Sequence, residues 1–172
     1  KKVIYIVAQN SYHLFNVFHP KNPQCAYVTF RLALSCFNQF PSTIDRDLSI
    51  DEKAITYFDE VTNSFSDSEY VPESKVKKAE VLKMLAEKEI YIAEFYFIRD
   101  KYDSALGRYE RYLSLYSGLL DDRVPLYNAA YSAVHAGQRE RGQKFFERLI
   151  KEFPNSSEAT RAQKDLKEYG RN

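Results

Sequence analysis

Apolar positions along the chain recur at helical spacing, and one grouping appears four times: a small residue, an aromatic four positions on, and a large apolar residue three further. The groups are Ala8/Tyr12/Phe15, Ala54/Phe58/Val61, Ala105/Tyr109/Tyr112 and Gly142/Phe146/Leu149. Offsets of four and three put each group on one helix face, and the small member lets a neighbouring backbone come close. Each group therefore predicts the second helix of a helical hairpin. A proline or serine follows each group five positions on (Pro20, Ser66, Ser117, Pro154), where such a helix stops.

The same periodicity predicts helices over 1–18, 25–39, 49–65, 72–99, 102–117, 123–136 and 139–153, with a last one capped by Asn155 and Glu158 and ending near Tyr169. Ser49 and Glu52 have the spacing of a capping box. In the long helix the apolar line is Val76, Ala79, Leu82, Ala86, Ile90, Ala93 and Phe97, and the charges of this stretch read as a solvated surface. The small residues of successive groups are 46, 51 and 37 apart, against about 34 for a regular helical-hairpin repeat. An irregular array is expected: 1–22 as the second helix of a repeat whose first lies upstream, 23–68 and 69–120 as stretched repeats, 121–154 as a nearly regular one, and 155–172 as a capping helix. All of it forms one α-solenoid fragment.

Composition narrows the function. With 5 glycines and 6 prolines against 28% charged residues, an all-β or disordered chain is disfavoured. The net charge is +1 with both signs interspersed, so the basic stripe that nucleic acids need is absent. No run of about twenty apolar residues offers a transmembrane segment. The opening Lys-Lys-Val-Ile-Tyr-Ile-Val-Ala is too short for a secretory core, and no glycine follows it to cradle a phosphate. Cys25 and Cys36, eleven apart in one predicted helix, read as small buried hydrophobes. His13, His19 and His135 lack metal-ligand spacing, and no nucleophile or phosphate-loop motif occurs. No catalytic, cofactor-binding or metal-binding residue is expected, and the chain reads as a non-enzyme.

Three sets remain as candidates for protein interaction. Tyr127, Tyr131 and His135, at i, i+4 and i+8, either grip a partner or pack against the neighbouring helix. Arg108 and Arg111 meet acids of a partner or pair locally with Glu110 and Asp103. Asp45, Arg46 and Asp47 bridge their loop to adjacent helices or offer a contact surface, and they supply too few ligands for a metal.

The last hairpin, with Leu126, Ala129, Ala130 and Ala133, Gly137 at the turn, then Gly142, Phe146, Leu149 and Pro154, resembles a tetratricopeptide repeat. Residues 37–49 (FNQFPSTIDRDLS), 85–100 (LAEKEIYIAEFYFIRD) and 102–113 (YDSALGRYERYL) together resemble the BamD family of outer-membrane assembly lipoproteins. The resemblance implies an all-α, right-handed solenoid of stacked antiparallel helix pairs, corresponding to the family's C-terminal part. It implies a scaffold without cofactors at the periplasmic face of the outer membrane of a Gram-negative bacterium. Its partners would be a BamA POTRA domain and other BAM lipoproteins. Unfolded outer-membrane proteins would be met mainly through early repeats that this sequence does not contain. The family's signal peptide and lipidated cysteine are likewise outside it, so anchoring would come from an N-terminal lipid beyond this chain. In that family the arginine matching Arg108 is linked to communication with BamA. The alternative is another tetratricopeptide adaptor, periplasmic or cytosolic, holding a peptide or protein partner in its concave groove.

Overall fold

Each apolar stretch closes into a helix and each short polar interruption turns the chain, which leaves no strand among the described residues. The computed structural model describes residues 2–39 and 49–169. Its helices are α1 (Lys2–Phe18), α2 (Cys25–Phe37), α3 (Ser49–Ser64), α4 (Val71–Phe97), α5 (Tyr102–Leu115), α6 (Arg123–His135), α7 (Arg139–Glu152) and α8 (Ser157–Tyr169). They form two compact units, residues 1–85 and 86–172, with the division inside α4.

In the first unit α2 packs against both α1 and α3. Its core includes Val28, Phe30, Leu32, Ala33, Ala54, Phe58, Val61 and Val81. Phe30 stacks on Tyr70 at 5.2 Å and tilts onto Phe58 at 6.4 Å. The Lys78 ammonium meets Asp59 at 2.5 Å. Cys25 and Cys36 are both buried and free, and burial pushes the Cys36 thiol up to about 11. Ala54, Phe58 and Val61 are fully buried, whereas Ala8, Tyr12 and Phe15 on α1 are only half-buried.

In the second unit α6 is central, packing against α5, α7 and α8. The α5 group Ala105/Tyr109/Tyr112 is fully buried, as are Phe146 and Leu149 on α7. Gly142 shows why its position is small: a Cβ there would lie 2.6 Å from Val134 Cγ2 and 2.9 Å from the Ala130 carbonyl oxygen. The turn between α6 and α7 closes around Gly137 at φ +78°, where the Gly137 N–H donates to Val134 O and the Gln138 N–H to Ala133 O. This paired bonding satisfies carbonyls that the helix end leaves over, and the left-handed backbone between them suits glycine.

Buried Asp122 organises the turn before α6. Tyr112 Oη donates to Oδ1 at 2.5 Å, while Ser117 Oγ at 2.5 Å and the Gly118 N–H at 2.9 Å donate to Oδ2.

Several local expectations are corrected. On α4, Val76 is 58% exposed and Ala79 is exposed, whereas Ala86 and Ala93 of the expected line are fully buried and Ile90 and Phe97 pack against the core; Ser74, Val81, Leu85 and Glu89 make up the rest of the buried face. A mean step near 3.6 gives the period of a buried line but not which residues the neighbouring helices cover in each turn. The cap of α8 is Ser156, whose Oγ accepts the Ala159 N–H at 3.0 Å, one residue beyond the expected Asn155. The Ser49 side chain, and with it the capping box, lies outside the described residues, as do Asp45, Arg46 and Asp47.

Candidate functional site

The aromatic stripe on α6 does not stand alone. Tyr127 is buried; its hydroxyl donates to Asp165 Oδ2 on α8 at 2.6 Å, and the Arg161 guanidinium lies 4.3 Å from its ring centre. Burial first, and the Asp165 bond second, push the Tyr127 hydroxyl up to about 12. Tyr131 is half-buried, with ring centres of His135 at 4.1 Å, Phe97 at 5.7 Å and Tyr102 at 5.8 Å. His135 is exposed, 5.0 Å from the Tyr102 ring and 6.3 Å from that of Tyr169. The stripe is thus engaged by α5 and α8, and His135 keeps its open edge.

Arg108 and Arg111 are one turn apart on α5, so both reach the same neighbour. That neighbour is Glu89 of α4. Arg108 Nη1 donates to Glu89 Oε2 at 3.3 Å, and Arg111 Nε forms an ion pair with Oε1 at 3.0 Å. The carboxylate is 2% exposed, while the two arginines are 39% and 48% exposed. Two cations around one buried anion leave a surplus positive charge on guanidinium edges that face water. The acids expected beside these arginines are engaged elsewhere: Glu110 pairs with Arg141, and Asp103 accepts from Gln138 Nε2 at 3.4 Å. Sequence reasoning missed Glu89 because it sits in the run Glu87-Lys88-Glu89, read as a solvated face. The available signal was its placement three residues after Ala86 and four before Ala93, on the line that is buried.

Further along α4 an open groove of about 540 Å³ is lined by Tyr91, Glu94, Phe95, Phe97 and Ile98, by Arg99 just past the helix, and by Asn128 of α6. Tyr91, Phe95 and Ile98 are exposed at i, i+4 and i+7. No group of side chains able to hold a metal ion occurs among the described residues. No helix among them is long and apolar enough to cross a membrane.

A family model named YfiO and described as "Outer membrane lipoprotein" matches residues 2–126, including α4 and α5 with the whole clasp. The chain belongs to this family. A tetratricopeptide repeat model matches residues 126–156, the α6–α7 hairpin, and the fold, helical among the described residues, is of the tetratricopeptide-type α-solenoid class. The outer membrane protein assembly factor BamD of Rickettsia prowazekii is 27% identical over 157 residues, covering 91% of this chain and 62% of that protein. The BamD of Neisseria gonorrhoeae is 23% identical over 135 residues, covering 72% of this chain and 51% of that protein. The chain therefore spans between about half and three-fifths of the length of these relatives.

Proposed function

We propose that this chain is a non-enzymatic scaffold of outer-membrane protein assembly, held at the periplasmic face of the outer membrane by a lipid outside the sequence. The observation that carries this is the YfiO match over residues 2–126, joined by relatives named as outer membrane protein assembly factors. Its partners would be a BamA POTRA domain and other BAM lipoproteins, with unfolded outer-membrane proteins met mainly by repeats not contained here. The surplus charge at Arg108 and Arg111 supports docking of an acidic surface there, because an exposed pair of guanidiniums steers and registers a partner carrying carboxylates. The test is saturable binding of the purified chain to the matching BamA POTRA domains, read by interferometry. Binding that weakens with Arg108→Glu at an unchanged melting temperature is the expected outcome, and absence of saturable binding would remove the POTRA docking.

A second reading, a peptide adaptor, is favoured by the groove of Tyr91, Phe95 and Ile98, whose exposed apolar surface is what such a ligand buries. Phe95→Glu separates the two, since it should abolish capture of an apolar peptide and spare an interface centred on the arginines.

A further inference from the structure

A carboxylate with 2% exposure, placed between fully buried Ala86 and Ala93, occupies a position where an apolar side chain would pack without losing hydration. Buried ion pairs are often replaceable by well-packed apolar residues with no loss of stability, so folding alone gives little reason for an acid here. What Glu89 does supply is orientation: its two oxygens each take one guanidinium, Arg108 at 3.3 Å and Arg111 at 3.0 Å, from two successive turns of α5. Free arginine side chains lose substantial rotamer freedom when a partner fixes them, and that cost falls if they are already held.

We infer that Glu89 is a positioning residue, which holds Arg108 and Arg111 side by side so that their outer edges form a preset receptor for a carboxylate-bearing partner surface. The inference rests on the scaffold reading above for the identity of the partner, but not for the ordering of the arginines. Glu89 stays inside and never meets the partner. Its single negative charge is outweighed by the two cations, so the receptor remains net positive toward an acidic surface.

The experiment compares Glu89→Leu in the wild-type and the Arg108→Ala/Arg111→Ala backgrounds, with the matching POTRA domains as the probe. The expected result is a binding loss of about tenfold in the wild-type background, less than twofold in the arginine-free background, and a melting temperature within a few degrees of wild type throughout. An equal loss in both backgrounds, or binding indifferent to the two arginines, would overturn the inference. Arginine Nε–H resonances of the isolated chain give a readout that needs no partner: both should be dispersed and protected in the wild type and collapse toward solvent-averaged positions in Glu89→Leu. If they are equally ordered in both proteins the positioning role fails. If the ordering changes as expected but no POTRA domain binds, it is the scaffold reading that fails.

Discussion

At Gly142 a single absent methyl group sets how closely α7 approaches α6. A Cβ would meet Val134 Cγ2 at 2.6 Å and the backbone oxygen of Ala130 at 2.9 Å, and the second of these cannot swing aside. Gly142→Ala should therefore cost about 1–3 kcal/mol through overpacking, despite the better helix propensity of alanine, as read from urea unfolding midpoints. An unchanged midpoint would mean that the two helices separate freely. Tyr112 offers the complementary case, in which a polar atom and not a volume is removed. Tyr112→Phe leaves buried Asp122 Oδ1 without the donor that lies at 2.5 Å, while Ser117 and Gly118 keep Oδ2. A loss of about 1–3 kcal/mol is expected in the same assay. The close approach at Gly142 was legible from spacing alone. The role of Asp122 was not, because Tyr112 on α5 and the adjacent Ser117 and Gly118 meet its carboxylate only through the path of the turn.

At the scale of elements, α8 is held to α6 by few contacts of high consequence. Ala159 and Ala162 are fully buried, and Tyr127 reaches Asp165 and lies under Arg161. Ala162→Leu should lift α8 without unfolding α5 to α7, so amide hydrogen exchange should accelerate in residues 157–169 and remain slow in Leu126 to Ala133. Uniform acceleration across the second unit would instead show that α8 belongs to its cooperative core. The stripe of Tyr127, Tyr131 and His135 was visible in the sequence as a helical line, yet its use was undecided there. Packing against α8 and α5 takes up Tyr127 and part of Tyr131 and leaves His135 exposed, a division that the helical line alone does not carry. The α4 line holds at Ala86 and Ala93 and departs at Val76 and Ala79 for a related reason: residues 76 and 79 keep helical period as well as 81, 85 and 89 do, and only neighbours choose between them.

For the molecule as a whole, buried tyrosines tie stability to alkaline pH. Burial pushes the hydroxyls of Tyr109 and Tyr127 up to about 12 and raises that of Tyr112 further. In the unfolded chain tyrosine ionises near pH 10, so between about pH 10 and 12 the folded state binds more protons and its advantage shrinks as pH rises. Urea midpoints should be level from pH 8 to about 9.5 and then fall steadily; a midpoint unchanged at pH 11 would contradict these shifts. Helical class, hairpin order and membership of a stretched repeat array follow from the sequence by itself, because period, small-residue spacing and turn residues are local properties that each segment carries alone. The clasp of Glu89 with Arg108 and Arg111 was decided only by the tertiary structure. Whether a charged residue is solvated or enclosed depends on which face a helix turns inward, and that is set by the helices packed against it, not by its own pattern.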